Sequence, residues 1–302
     1  MAHQGVVAPW RLFAVEVAEV RELSPSFLRV SFAGPDLAGF ADNGYDQRIK
    51  LVLPVPGHGL AHLPTGPDWY QRWRALPDAL RNPIRTYTVR RVRQAPPRVD
   101  VDIVRHGGGH GPVARWAAVV RPGDQAMLVG PDAGYPGDHG GVEFRPPAPG
   151  TPMLIAGDET AVPAVAAILE RLPADARGEV LLEVPYPADT LTLAAPPGLA
   201  VSWLPRSGQP HGSRLVPAVR AAAGRLLGEN PEPMGGPVED VDVDTELLWE
   251  VPEGDPAGVY AWLAGEAGVI RTLRRHLVSE RGVDRRSVAF MGYWRLGRAE
   301  GE

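Results

Sequence analysis

Cysteine is absent from the 302 residues, which excludes disulfides, thiol nucleophiles, cysteine-ligated zinc and an all-cysteine iron–sulfur cluster. Redox work by such a chain needs a bound organic cofactor. Lysine is nearly absent as well: of 31 basic positions thirty are arginine, and the single lysine is Lys50, so a ligand-facing role is sought for that ammonium first. No apolar run approaches the roughly 18–20 residues that span a bilayer, and the opening residues carry no basic stretch followed by an apolar core. A cytoplasmic location with no membrane partner is therefore expected. No basic stripe studded with aromatics points to nucleic acid, and no internal repeat is visible.

What is present reads as an ordinary globular composition, 44% hydrophobic and 22% charged, in a chain long enough for two domains with separate cores. The formal charge of −5 hides an asymmetry. Residues 226–270 hold eleven acids and no Lys or Arg, which leaves the remainder net positive and able to offer a local basic pocket to an anion.

The first 130 residues or so read as strands broken by loops, over 13–23, 26–32, 48–53, 86–92 and 98–105. In the last of these the period of two puts Val99, Val101 and Ile103 on a core face and Asp100 and Asp102 on the other, facing away. An antiparallel β-barrel or sandwich is expected for residues 1–135. A Gly- and Pro-rich crossing follows near 132–152. From 150 to 302 strands and helices alternate: a strand at 153–156, a helix with Val165, Ile168, Leu169 and Leu172 on one face, strands at 179–184 and 199–204, and a helix at 215–227. A strand at 259–263, a helix with Val269, Ile270, Leu273 and Leu277 on one face, and a strand near 288–292 complete the pattern. This predicts an α/β domain with a mainly parallel sheet, interrupted by an acidic, Pro/Gly-rich insertion near 228–256 that lacks EF-hand spacing and reads as a surface loop.

Five constellations bear chemistry. Arg85-Thr86-Tyr87-Thr88 opens a strand and combines a guanidinium, an aromatic face and hydroxyls; alone it also suits an ordinary half-exposed strand. Residues 107–112 form a Gly-rich turn before a helix expected at 113–120, where backbone N–H groups and the helix dipole suit a diphosphate. His106 precedes that turn and His110 lies within it, with no nearby carboxylate or cysteine, so no metal site is expected. Gly157-Asp158-Glu159-Thr160 leaves a parallel strand, with Thr160 as the expected N-cap and Pro163 in the first turn; the Rossmann fingerprint itself is missing. Ala264-Gly265-Glu266 repeats that strand-to-helix geometry. Gly292-Tyr293-Trp294-Arg295 lies in a basic tail. Arg206 and Arg214 follow a strand where a 2′-phosphate could be met.

Taken in order, from Asp46-Gln47-Arg48-Ile49-Lys50-Leu51 through Arg85–Thr88, residues 101–106, Gly111-Pro112-Val113, Trp116, Pro122-Gly123-Asp124, 157–160 and 262–266 to 292–297, these segments resemble the siderophore-interacting protein family, FAD-dependent ferric-siderophore reductases with a ferredoxin-reductase-like plan. The resemblance implies FAD held between the barrel and its partner domain. It would be contacted by Arg85, Thr86, Tyr87 and Thr88, by Asp102, Val104 and His106, and by Gly111, Pro112, Val113 and Trp116, with Arg85 on phosphate, Tyr87 stacked on the ring and Thr88 at its reactive edge. It further implies that Asp158, Glu159, Thr160, Ala264, Gly265 and Glu266 face NADPH or NADH, and that Lys50 and Arg295 belong to the siderophore-binding surface. The expected activity is NAD(P)H-dependent reduction of ferric siderophore by a monomer, with electron transfer through FAD. A reduced ferredoxin remains open as donor, and a general NAD(P)H:flavin or quinone reductase or a non-catalytic ferric-siderophore-binding flavoprotein remain open as alternatives.

Overall fold

The computed structural model describes residues 7–105, 111–228, 248–252 and 258–297. His106 and the glycine turn at 107–110 lie outside the described residues, as does most of the 228–256 insertion. The chain folds into two compact units, Met1–Leu23 with Phe27–Val142, and Glu143–Glu302 with Ser24–Ser26.

Seven strands build the first unit: β1 (Trp10–Glu22), β2 (Phe27–Ala33), β3 (Arg48–Val52), β4 (Ile84–Thr88), β5 (Arg91–Gln94), β6 (Pro97–Val104) and β7 (Gln125–Pro131). All pair antiparallel in the order β4-β3-β7-β1-β2-β6-β5. Contact between β4 and β6 curls the sheet toward a barrel, around a core that includes Phe13, Val30, Phe32, Ile49, Leu51 and Leu128. Two short helices are added, α1 (Trp69–Arg74) and α2 (Pro112–Ala117). The strand expected over 86–92 is two strands: the chain leaves its pairing with β3 after Thr88, and Arg90 N–H reaches the Asp100 carbonyl as β5 joins β6.

The period-two reading of β6 holds for Val99, Val101 and Ile103, all fully buried. It fails for solvent exposure on the other face, where Asp100 and Asp102 are each only 4% exposed. Arginines cover them. Arg29 on β2 holds Asp102 with Nε at 2.6 Å and Nη2 at 2.8 Å, Arg90 approaches the same carboxylate at 3.8 Å, and Arg93 Nη2 lies 2.5 Å from Asp100. Buried carboxylates of this kind require such partners, because desolvation without them costs several kcal/mol per ion.

The second unit contains β8 (Met153–Gly157), α3 (Val162–Leu169), β9 (Arg177–Val184), β10 (Gly198–Pro205), α4 (Leu215–Leu227), β11 (Trp249–Glu250), β12 (Tyr260–Glu266), α5 (Ala267–Arg274) and β13 (Val288–Trp294). The order is β10-β9-β8-β12-β13-β11, parallel except for the edge strand β11. From β8 the sheet grows one way through β9 and β10 and the other way through β12 and β13. The topological switch point therefore lies between β8 and β12, where the carboxyl ends of a doubly wound sheet leave a crevice. All eight residues of α3 are buried, so the stripe of Val165, Ile168 and Leu169 marks only one of its buried faces. The helix α5 passes into a single π-helical turn, Arg275–Glu280.

Candidate functional site

In the first unit the candidate residues cluster on the β3–β4 ladder, where Arg48 pairs with Thr88, Ile49 with Tyr87, Lys50 with Thr86 and Leu51 with Arg85. Residues directly opposite share a face. Arg85 and Tyr87 thus belong with Ile49 and Leu51, and Tyr87 is half-buried against the barrel core. Thr86 and Thr88 belong with Lys50 and Arg48 on the other face. The stretch expected to act as one flavin contact is split by the pleat, with Thr88 buried and on the face opposite to Tyr87. Arg85 donates from Nη1 to the Ile84 carbonyl at 2.8 Å.

On the second face Lys50 is exposed and donates from Nζ to the Thr86 hydroxyl at 2.6 Å. A concavity of about 260 Å³ opens there, lined by Trp10, Arg48, Ile49, Lys50, Thr86 and Gly141. Its wall is fixed by Trp10 Nε1 donating to the His139 carbonyl at 2.5 Å and by Arg48 N–H donating to the Gly141 carbonyl at 2.8 Å. Trp10 and Arg48 were not among the expected site residues. Trp10 precedes the strand as read from the sequence, and the pairing of Trp10 with Pro131 is what brings it in.

The remaining candidates of this unit have mixed surroundings. Asp102 is taken up by Arg29 and Arg90 as described above, Val104 is half-buried beside Phe27, and Trp116 lies nearly parallel to Phe32, 6.4 Å between centroids. Gly111 is exposed with open space where a Cβ would stand, Pro112 begins α2, and Val113 is buried. No described side chain caps the first turn of α2.

In the second unit the expected residues converge on the carboxyl edge of the sheet. Gly157 pairs with Ala264, and a Cβ at Gly157 would collide with the Ala264 carbonyl and the Ala161 methyl. Gly265, at φ 152°, leaves room for Asp158, whose Oδ2 would lie 2.7 Å from a Cβ there. Asp158 is only 3% exposed and accepts four hydrogen bonds. Its Oδ1 takes the Thr160 N–H (2.9 Å) and hydroxyl (2.6 Å); its Oδ2 takes the Glu266 N–H (2.8 Å) and Trp294 Nε1 (2.8 Å). One carboxyl group thereby ties the ends of β8, β12 and β13 together. Thr160 is not the N-cap expected of it. Ala161 holds that position, and the Thr160 hydroxyl is turned to Asp158.

Glu159 and Arg206 are both buried and form a two-pronged pair, Nη1 to Oε2 at 2.6 Å and Nη2 to Oε1 at 2.8 Å, with Glu183 3.4 Å from the same Nη1. Arg206 is therefore committed inside the domain and is not displayed for a 2′-phosphate. Glu183, fully buried, also accepts from the N–H groups of Gly212, Arg214 and Leu215 at the start of α4 (2.8–3.0 Å). Glu266 caps α5 through Val269 N–H at 2.9 Å and takes the Leu296 N–H at 3.3 Å. The aromatic tail thus docks on this edge, with Arg295 half-buried between Trp294 and Leu296.

Burial, followed by the neighbouring Glu159 carboxylate, pushes the Asp158 carboxyl up to about 7 against the opposing hydrogen bonds of Thr160 and Trp294. Burial and then the Arg206 charge hold the His211 imidazole below its ordinary value. Asp158, Glu159 and His211 can bring one ligand atom each within 4.8 Å of one another, but the oxygens of Asp158 are filled by N–H and O–H donors and those of Glu159 by Arg206, which is not the open oxygen set a cation requires.

Residues 16–135 match the model of the siderophore-interacting FAD-binding domain, and residues 151–297 match that of the siderophore-interacting protein. The chain is 36% identical to an uncharacterized protein of Mycobacterium tuberculosis, over 96% of this chain and 92% of that one. It is 30% identical to the ferric vibriobactin reductase ViuB of Vibrio cholerae, over 92% of this chain and 87% of that one. The crystal structure of a siderophore utilization protein from T. fusca matches with a TM-score of 0.70 at 30% identity, over 97% and 96% of the two chains. The chain belongs to the siderophore-interacting protein family.

As a member of that family it is a FAD-binding flavoprotein of the oxidoreductase kind, with a fold shared by ferredoxin reductases at 17% identity and a TM-score of 0.61. The first unit fits such a cofactor on its own chemistry. Arg85 offers a half-buried guanidinium and Tyr87 a half-buried ring on one face of β4, while the turn into α2 begins with an exposed glycine whose backbone can be approached closely. Among the described residues no helix is long and apolar enough to cross a membrane.

Proposed function

We propose that this family member is an NAD(P)H-dependent reductase of ferric siderophores. The observation that carries the reading is the outward face of β3 and β4, where the only lysine of the chain stands beside Arg48, Thr86 and Trp10 on the FAD-binding domain, in a chain alike over nearly its whole length to a ferric vibriobactin reductase. Siderophores hold the hard Fe(III) ion far more tightly than Fe(II), so one-electron reduction of the chelated substrate releases iron. Bound FAD supplies the conversion of a two-electron donor into single electrons.

The protein's own part is placement and charge. Arg85 would neutralise the cofactor's phosphate, and the Tyr87 ring would cover its planar system. Lys50, with its ammonium steered by the Thr86 hydroxyl, would attract an anionic ferric complex to the open concavity, and Arg295 would add a second positive charge to the siderophore surface. In the second domain the turns at 158–160 and 264–266 would position the nicotinamide donor.

The direct test mixes purified protein, NADH or NADPH, and a ferric siderophore with a ferrous chelator under anaerobic conditions. Ferrous complex should accumulate while NAD(P)H is consumed; NAD(P)H consumption with no ferrous product would leave a general flavin reductase, and no consumption would remove the nicotinamide reading. Tyr87→Ala should weaken FAD binding by roughly tenfold to a hundredfold, the equivalent of about 1–3 kcal/mol of lost ring contact, as read by fluorescence titration of apoprotein. Lys50→Ala should raise KM for an anionic ferric complex without slowing flavin reduction by NAD(P)H. That effect should fade between roughly 0.1 and 1 M salt, where screening shortens from about 10 to 3 Å. Equal losses with a cationic complex would contradict the electrostatic role.

A further inference from the structure

We propose that Tyr186 is the adenine platform of the dinucleotide site, so that this chain holds its donor by the nucleobase as well as by its phosphates. The proposal rests on the nicotinamide reading above and deepens it.

The starting point is how the carboxyl edge of the parallel sheet disposes of its charge. In doubly wound sheets the dinucleotide phosphates are ordinarily received by backbone N–H groups at a helix start. Here each of the three turns entering α3, α4 and α5 is already occupied by an internal carboxylate: Asp158 takes the Thr160 N–H, Glu183 takes three N–H groups around Arg214, and Glu266 takes the Val269 N–H. Arg206, buried at the end of β10, is held by Glu159 and Glu183. A phosphate brought to this edge meets carboxylates where it would ordinarily meet N–H dipoles. The exposed Arg214 at the start of α4 leaves a positive charge for a phosphate, and further affinity must come from elsewhere on the edge.

The feature left over is an aromatic one. Tyr186 follows β9 at its carboxyl end and is 52% exposed, among the few large hydrophobic side chains of the described part of the domain left in solvent. A mobile surface tyrosine would be unremarkable, but this one is held at its backbone. It sits between Pro185 and Pro187, its N–H donates to Asp189 Oδ2 at 3.1 Å, and its carbonyl accepts the Asp189 N–H at 3.0 Å. The Asp189 side chain that anchors it is fully buried. The end of the next strand is tied alongside, since Ser207 N–H donates to the Pro185 carbonyl at 2.9 Å. Ser207 and Gly208, which follow that tie, are both exposed and at positive φ, so the neighbouring strand end carries only small residues there. An exposed ring on a backbone held at both its N–H and its carbonyl, at the end of the second strand outward from the switch point, has the chemistry of a nucleobase platform. Stacking of this kind accepts a base by its π-face and leaves little conformational entropy to lose on binding.

The test compares two hydride donors that differ in the adenylate half. Flavin reduction by NADH and by reduced nicotinamide mononucleotide, which has no adenine, is measured for wild type, Tyr186→Ala and Tyr186→Phe. Tyr186→Ala should raise KM for NADH roughly tenfold with kcat nearly unchanged, and should weaken competitive inhibition by AMP by a similar factor. KM for the mononucleotide should not move, and Tyr186→Phe should behave as wild type because the ring is retained. An equal rise for both donors, or no rise for NADH, would overturn the platform while leaving nicotinamide-driven reduction standing. A wild-type protein reduced by neither NADH nor NADPH would overturn the proposed donor itself, and the platform with it.

Discussion

Arg206→Leu is expected to destabilise the α/β domain by about 3–5 kcal/mol, the usual cost of removing one partner from a buried ion pair. Glu159 and Glu183 are 1% and 0% exposed, and Arg206 lies within salt-bridge distance of both. Of the two acids Glu159 should bear more of the loss, because both of its oxygens rest on the Arg206 guanidinium, whereas Glu183 keeps three N–H donors at the start of α4. The double variant Arg206→Leu with Glu159→Leu should recover a large part of the lost stability, because it replaces the closest charge pair by apolar groups instead of leaving one charge stranded. Urea unfolding followed by near-ultraviolet circular dichroism would measure both. A single variant within about 1 kcal/mol of wild type would mean that the pair is not formed in solution.

The same network shows where reading the sequence reached its limit. Strand and helix periods located most elements of both domains, though not β7, α1 or β11, and the order of short motifs pointed to the family, because these signals are local. Charge partners are not local. Arg29 meets Asp102 only through the β2–β6 register, 73 residues away, and Glu183 reaches the start of α4 across 31 residues. With thirty arginines in the chain, no spacing rule singles out Arg206 as the buried one, and its place after a strand suggested a phosphate ligand.

Thr160 was misjudged for a related reason. Thr is a good cap by residue type, but a carboxyl two residues earlier had two oxygens and could satisfy donors at the ends of three strands at once. Tyr186 gave no signal at all, since exposure of a single aromatic is a property of the fold. Among the candidates of the barrel, the split of Arg85–Thr88 across the two faces of β4 was implicit in the period of two; what hid it was treating four consecutive residues as one contact.

The second large effect concerns the proton on Asp158. Its carboxyl is raised from an ordinary 3.8 to about 7, so between those values the folded domain binds a proton that the unfolded chain does not. Stability from that proton is fully present below about pH 4 and is lost as pH rises through about 7, with a slope of up to roughly 1.4 kcal/mol per pH unit in the middle of the window. The surroundings can accept either form. Three of the four donors are N–H groups that only donate, but the Thr160 hydroxyl can turn round and accept from a protonated Oδ1. Asp158→Asn has no proton to lose and places an NH₂ against N–H donors, at a cost of about 1–3 kcal/mol. Wild type should therefore exceed the variant in stability most clearly near pH 5, and the gap should narrow steadily toward pH 8. Urea unfolding of both proteins across that range isolates the effect, because every other titrating group is common to the two. Parallel curves would show that Asp158 is ionised throughout, with its four hydrogen bonds outweighing burial and the Glu159 charge. A narrowing gap would mean that the tie between β8, β12 and the Trp294 tail is weakest at the alkaline end, where the carboxylate stands buried beside Glu159.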